Sequence, residues 1–300
     1  MSVDRLKCDR IDFGGFFAKS KKHKYNPFLD RYLQSVKRDM TYILGIRCVD
    51  GVLLMGDTKV TIDDGADFAY SKKIFKPFTS VVIGAAGASG LYKSFQDRLS
   101  YSVTKIEETE RITSPEQFSV ITENVIRQMH DVYGEDRHIL RNLEILMAVR
   151  MGDTAELRRV TSYGFSEPVN DFKAIGHGEP YGTIFIKKLK PNTTMTMEQA
   201  SLLGCFILKV IKETEIDKSV GFLDDFLPQV WHLPDIKYSN DLPPYQSDSE
   251  EITELYIEYR DKKYPIKELN NKEVQSLLNR VSHRVDEFNS FFDKGDFKLF

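Results

Sequence analysis

The sequence lacks the features that would announce a disulfide scaffold, a metal finger or a membrane protein. Its cysteines are Cys8, Cys48 and Cys205 alone in 300 residues. They are odd in number, far apart and without a C-x-x-C spacing, which argues against a disulfide framework and a structural zinc site and points to a reducing cytoplasm. No apolar run approaches the roughly 18 residues of a membrane span, and Asp4, Arg5, Lys7, Asp9 and Arg10 stand where an export signal would need an apolar stretch. The expectation is a cytoplasmic chain without a membrane partner. Charge of one sign is missing too: a formal net charge of -3 provides no field to gather nucleic acid. There is no internal repeat. What is present, 41% hydrophobic residues with 12% aromatics, suffices for a sizeable core.

Residues 1–40 mix charges with scattered aromatics (Phe13, Phe16, Phe17, Tyr25, Phe28, Tyr32) around the basic run 19–24, and read as a propeptide or N-terminal extension. The texture changes at Met40. Two apolar runs, 42–49 and 52–56, flank Asp50-Gly51 as in a hairpin. A short strand is expected at 73–75 and an apolar one at 80–86, which ends in the small-residue turn 87–90. Helical spacing follows at about 90–109, with Leu91, Phe95 and Leu99, and at about 114–133 behind Ser114-Pro115. Strands are expected at 143–149 and near 157–162, helices near 178–189 and 196–213, and a last strand at 230–233. This order of elements suits a layered α+β domain over 41–233. Residues 234–300 read as a linker followed by an appendage: a small hairpin over 252–268, then a helix over 270–292 with Val274, Leu277, Leu278, Val281, Val285 and Phe288 on one side.

One threonine, one aspartate and one lysine prove nothing singly, but their setting is specific. Thr41-Tyr-Ile-Leu-Gly45, Asp50-Gly51-Val-Leu-Leu, Asp57-Thr-Lys59-Val-Thr61, Lys72-Lys73-Ile-Phe and Ala86-Gly87-Ala-Ser-Gly90 together resemble the opening of proteasome β subunits and of the related bacterial protease that pairs with an unfoldase ATPase. The resemblance runs without a gap from Thr41 to about Gly90 and more loosely to about Leu233. It implies a four-layer αββα sandwich of the N-terminal-nucleophile hydrolase type, no metal or cofactor, and a peptide or unfolded protein as substrate. It also implies a ring of like subunits, with α-type subunits or an unfoldase ATPase as partners. The family's spacing from threonine to aspartate and lysine is kept (57 − 41 = 16; 73 − 41 = 32). By the resemblance Thr41 is the nucleophile, Asp57 supports it, Lys73 tunes it, Gly87 provides the oxyanion N–H, and Thr61 and Ser89 line the cleft where substrate adds as a strand. Ala85 and Lys93 fall where the specificity pocket is shaped and imply tolerance of bulky or acidic side chains.

The chemistry fits those residue types. A threonine hydroxyl is a weak nucleophile, and a free α-amine on the same residue, with a pKa of about 7.7 to 8.0, can take its proton at neutral pH. A nearby ammonium lowers the proton affinity of both groups, and a carboxylate keeps that ammonium charged and placed. A backbone N–H in a glycine turn can approach an oxyanion closely, although Gly87 and Gly90 also suit a plain strand-to-helix turn.

The later half departs from the family. Gly176-His177-Gly178 stands where a serine between glycines is usual, so a group that helps the catalytic amine is replaced by an imidazole, which either handles protons itself or is simply accommodated. Glu215-Ile-Asp217-Lys-Ser219-Val-Gly221 matches the family's aspartate and serine loosely, with Asp217 as the site aspartate and Ser219 its partner. The residue before Thr41 is Met40 rather than the family's glycine. Three routes are therefore open: self-cleavage, translation from Met40 followed by removal of the methionine, or retention of 1–40 in an inactive structural subunit. An amidase acting on a small amide would share the chemistry and differ in assembly.

Overall fold

The structure, a computed structural model, describes residues 41–62, 67–87, 89–108, 112–132, 140, 143–151, 153–189, 195–236 and 264–293. The extension 1–40, and all but the last residues of the expected 252–268 hairpin, lie outside them.

Strands β1 (Ile43–Cys48) and β2 (Gly51–Gly56) form the hairpin around Asp50 and pair over their whole length. A ribbon of β3 (Lys59–Ile62) and β4 (Asp67–Tyr70) follows. Then come β5 (Ile74–Phe78), β6 (Val81–Ala86), α1 (Ser89–Glu107), α2 (Pro115–Val132), β7 (Glu144–Val149), β8 (Glu156–Val160), β9 (Ser166–Pro168) and β10 (Phe172–Ile175). The chain continues through α3 (Glu179–Leu189), α4 (Met197–Thr214), β11 (Gln229–Pro234), β12 (Lys267–Glu268) and α5 (Asn271–Asp293). One sheet runs β10-β1-β2-β11-β12 and the other β5-β6-β7-β8-β9, with every pairing antiparallel.

Strand periodicity explains the layering. In β1 and β2, Leu44, Ile46, Leu53 and Met55 turn to one face and join a core with α3, α4 and α5, while Ile43, Val52 and Leu54 turn to the other. In β6, Val81, Ile83 and Ala85 pack with α1 and α2, and Val82 and Ala86 face the opposite sheet. Both sheets are thus apolar on both faces, a pattern that requires cover on each side. The result is helices, sheet, sheet, helices. Gly45 lets the sheets close up: a Cβ there would lie 2.6 Å from Leu157 Cδ1.

Residues 264–293 are built into this frame. Strand β12 extends the first sheet through Trp231↔Glu268 and His232↔Lys267. Helix α5 buries Val274, Leu277, Leu278, Val281, Val285 and Phe288 in the core it shares with α3 and α4, so its apolar stripe covers α4. Phe288 meets Phe185 and Phe206 edge-on. No helix is long and apolar enough to cross a membrane among the described residues.

Candidate active site

Thr41 lies just ahead of β1 and is 5% exposed. Its carbonyl accepts the Gly178 N–H at 3.3 Å. Gly176, at φ +86°, comes so close that a Cβ would stand 2.2 Å from the Thr41 oxygen, so the glycine is required both for its conformation and for the space. The next residue is fixed as firmly. The Tyr42 N–H donates to Asp57 Oδ1 at 2.8 Å, its carbonyl accepts the Asp57 N–H at 3.0 Å, and its ring fills the space that side chains at Gly178 and Gly182 would occupy.

Asp57 follows β2 directly and is fully buried. Lys73 Nζ donates to Asp57 Oδ1 at 2.7 Å, and the Gly221 N–H donates to Oδ2 at 3.2 Å. The Gly221 carbonyl in turn accepts the N–H groups of Thr58 and Lys59, which ties the 217–221 turn to the aspartate's own strand. Burial pushes the Asp57 carboxyl up, against the pull of the Lys73 charge, the Lys73 hydrogen bond and the N–H groups of Tyr42 and Gly221. Burial likewise pushes the Lys73 ammonium down, against Asp57 and, more weakly, Asp217. Every group reaching the carboxylate is a donor, an arrangement that suits the ion pair and would leave a protonated Asp57 without an acceptor. Lys73 and Lys72 diverge as neighbours on an extended segment do. The Lys73 side chain is 7% exposed, whereas that of Lys72 is 71% exposed and pairs with Glu268 at 3.1 Å.

A second group faces the site from α4. The helix opens on a capping box of Thr196 and Gln199 and closes with Glu215 in the left-handed region at φ 50°, which turns the chain back toward Thr41. Asp217 then takes the Ser219 N–H at 3.0 Å and the Ser219 hydroxyl on Oδ1, and His177 Nδ1 on Oδ2 at 2.7 Å. Burial pushes the Asp217 carboxyl up, but the hydrogen bonds from His177 and Ser219 outweigh it and hold the group below the usual carboxylate range. An ionised Asp217 only accepts, so the His177 proton sits on Nδ1. His177 lies between Gly176, which closes on the Thr41 carbonyl, and Gly178, whose N–H donates to it.

Gly87, at φ +140°, ends β6 and turns the chain into α1, next to Ala86, whose Cβ faces Gly176. The backbones of Thr61 and Ser89 lie in β3 and at the start of α1, and their side chains are outside the described residues. Among the described residues, no group of His, Cys, Asp and Glu is arranged to hold a metal ion. Sequence reasoning did not single out the Gly221 N–H on Asp57 or the role of Gln229, whose Oε1 takes the N–H groups of both Lys73 and Ile74. Neither carries a local signal, because each partner is more than 150 residues away in the chain.

The family model for proteasome subunits matches residues 40–222. The chain belongs to the proteasome subunit family. Solved structures similar to this family member include a Gly-1 mutant of Anbu from Hyphomicrobium sp. strain MC1, 16% identical, with a TM-score of 0.53 over 74% of this chain and 96% of that one. Anbu itself from the same organism is similar to the same degree, with 94% of its chain covered. At that identity the likeness speaks for the fold alone, and it agrees with the α+β sandwich described above. No curated protein matches the chain.

Proposed function

We propose that this chain is a threonine-type endopeptidase subunit of a proteasome-like ring, active once residues 1–40 are removed and Thr41 carries a free amine. The observation that supports this best is the buried Lys73–Asp57 pair at 2.7 Å, with the same carboxylate oxygen holding the N–H of the residue after Thr41. The pair does two things at once. In this reading the Lys73 ammonium lowers the proton affinity of the threonine's hydroxyl and amine, and Asp57 holds the backbone one residue after the nucleophile.

In the proposed reaction the Thr41 hydroxyl attacks a peptide carbonyl and gives its proton to the α-amine. The Gly87 N–H stabilises the oxyanion, and the amine returns the proton to the leaving nitrogen. Water then hydrolyses the ester by the reverse sequence of transfers. Asp217 and Ser219 fix the imidazole of His177 at the place where the family usually has a serine. Thr61 and Ser89 are proposed to line the substrate's path, with a peptide or unfolded protein as substrate. A ring of like subunits with α-type subunits or an unfoldase ATPase in the cytoplasm is the setting that this reading implies.

The second reading, a structural subunit without turnover, is favoured by His177 and by Met40 in place of glycine. One experiment separates them. The full chain is expressed, purified as its natural assembly, sequenced from its N-terminus and treated with a threonine-directed electrophile such as an epoxyketone or a β-lactone. A start at Thr41, with labelling lost in Thr41→Ala, is the expected result. An intact start without labelling sinks the peptidase reading and leaves the structural one.

A further inference from the structure

Residues 264–293 lie beyond the stretch matched by the family, yet they reach the entry to β5 at Lys73 and Ile74. Among the described residues, strand β5 is the edge of its sheet and pairs with β6 alone. Where the chain enters it, the N–H groups of Lys73 and Ile74 both donate to Gln229 Oε1, at 2.7 and 2.9 Å, and Gln229 Nε2 donates back to the Ile74 carbonyl at 3.0 Å. One buried amide from the other sheet thus stands in for a neighbouring strand.

A carboxamide can be turned end for end, and the two N–H groups and the Ile74 carbonyl select the end that faces Lys73. Glu268 adds a further contact of the same sense. Its Oε1 takes the second proton of Gln229 Nε2 at 3.2 Å, and a carboxylate only accepts, so a turned amide would set oxygen against oxygen there. Glu268 is itself held by β12 pairing opposite Trp231, and the exposed Lys72 reaches each of its oxygens at 3.1 Å from outside. Strand β12 leads directly into α5, whose apolar stripe anchors it to α4.

We propose that Glu268 is a positioning residue for Lys73: by orienting Gln229 it fixes the backbone from which the ammonium reaches Asp57, so that residues 264–293 are a working part of the site. This inference rests on the reading of Lys73 as the cation that tunes the threonine. The outer ion pair with Lys72 is incidental to it; the oxygen that faces Gln229 is what matters. Small misplacements of such a group are costly, since a shift of about 1 Å can cost about 100-fold in rate.

The test uses the full chain in its natural assembly, with Glu268→Ala, Glu268→Gln and Lys72→Ala compared against wild type. Deuterium uptake is followed in the peptide spanning 72–78 and, as a control, in 230–234. Hydrolysis is followed with a fluorogenic peptide. Glu268→Ala is expected to speed exchange in 72–78 alone and to lower kcat by about 10-fold with KM held within about 2-fold. Glu268→Gln, which keeps an acceptor oxygen, is expected to restore both readouts, and Lys72→Ala to resemble wild type. Should Glu268→Ala fail to assemble, Glu268→Met keeps the bulk, drops the acceptor and carries the same expectation. The proposal is overturned if exchange in 72–78 stays at the wild-type rate, if both segments loosen together, or if Glu268→Gln is as damaged as Glu268→Ala. A wild-type chain that hydrolyses nothing overturns the peptidase reading above, and the exchange comparison still decides the positioning.

Discussion

In one ion pair near the start of β1, Asp57 and Lys73 meet at 2.7 Å with side chains 0% and 7% exposed. In the other, His177 meets Asp217 at the same distance, but the imidazole is 27% exposed. The first pair is shut in by strand ends and backbone donors. The second sits on a turn and a helix entrance, with one face toward solvent. A buried ion pair depends on both partners remaining, because either one left alone is an uncompensated charge, whereas a part-exposed pair can be rebuilt with water. The closed side is therefore the rigid reference against which the open side can vary.

This contrast can be broken at several points. The largest effect is expected from Lys73→Met, which strands the Asp57 charge. Chemical denaturation should show a loss of about 3–5 kcal/mol, and Asp57→Asn added to it should recover part of the loss by removing that charge. Next comes Gly176→Ala. The added Cβ would meet the Thr41 carbonyl at 2.2 Å in a left-handed backbone, so a loss of about 1–3 kcal/mol is expected together with lower activity. On the open side, His177→Ser restores the family's usual residue. It should change stability by less than about 1.5 kcal/mol while altering the pH dependence of kcat/KM, because Asp217 loses its imidazole partner.

Asp217 gives a pH test with a defined sign. Its carboxyl is held below the ordinary value of 3.8, so its contribution to stability is present above that pH and is lost as the pH falls through the lower folded value. Denaturant midpoints measured from neutrality downward should fall less steeply in Asp217→Asn than in wild type. The smallest effect belongs to Lys72→Ala: the side chain is 71% exposed, and a change below about 0.5 kcal/mol is expected.

The same contrast separates what the sequence reveals from what it hides. Long elements with a steady period were legible. The helix observed at Ser89–Glu107 was expected at about 90–109, that at Pro115–Val132 at about 114–133, and that at Asn271–Asp293 at 270–292, each from its apolar spacing. The strand at 80–86, observed as Val81–Ala86, showed itself as an unbroken apolar run because it is covered on both faces. Short edge strands were not legible. Ser166–Pro168 and Lys267–Glu268 are too brief and polar to show alternation, and Phe172–Ile175 earns its place only through its pairing with β1. The strand expected at 73–75 starts at Ile74 and runs to Phe78, where a bulge shifts the register against β6.

In the site, Thr41, Asp57 and Lys73 lie in one gapless stretch, so their spacing could be read; the structure joins Lys73 to Asp57 at 2.7 Å and Asp57 to the N–H of Tyr42, the residue after Thr41. The pairing of His177 with Asp217, 40 residues apart, and the grip of Gln229 on Lys73, 156 apart, follow from tertiary packing. No local pattern marks contacts of that kind.

The seat of Tyr42 also bears on the cut that the proposed function requires. Its ring is enclosed by Gly178 and Gly182, and its hydroxyl is buried without a hydrogen-bond partner among the described residues, so the body of the residue rather than its polar end holds it in place. Chain ends are ordinarily the loosest part of a protein. An end created at Thr41 would have a single residue of slack before an anchor, and it would arrive already aimed, with little freedom left to lose when it reacts. The same anchor makes the system intolerant of error. On the reading proposed above, a cut one bond early would leave a spare residue over Thr41 and a cut one bond late would remove it, so that reading requires a cut placed to the residue.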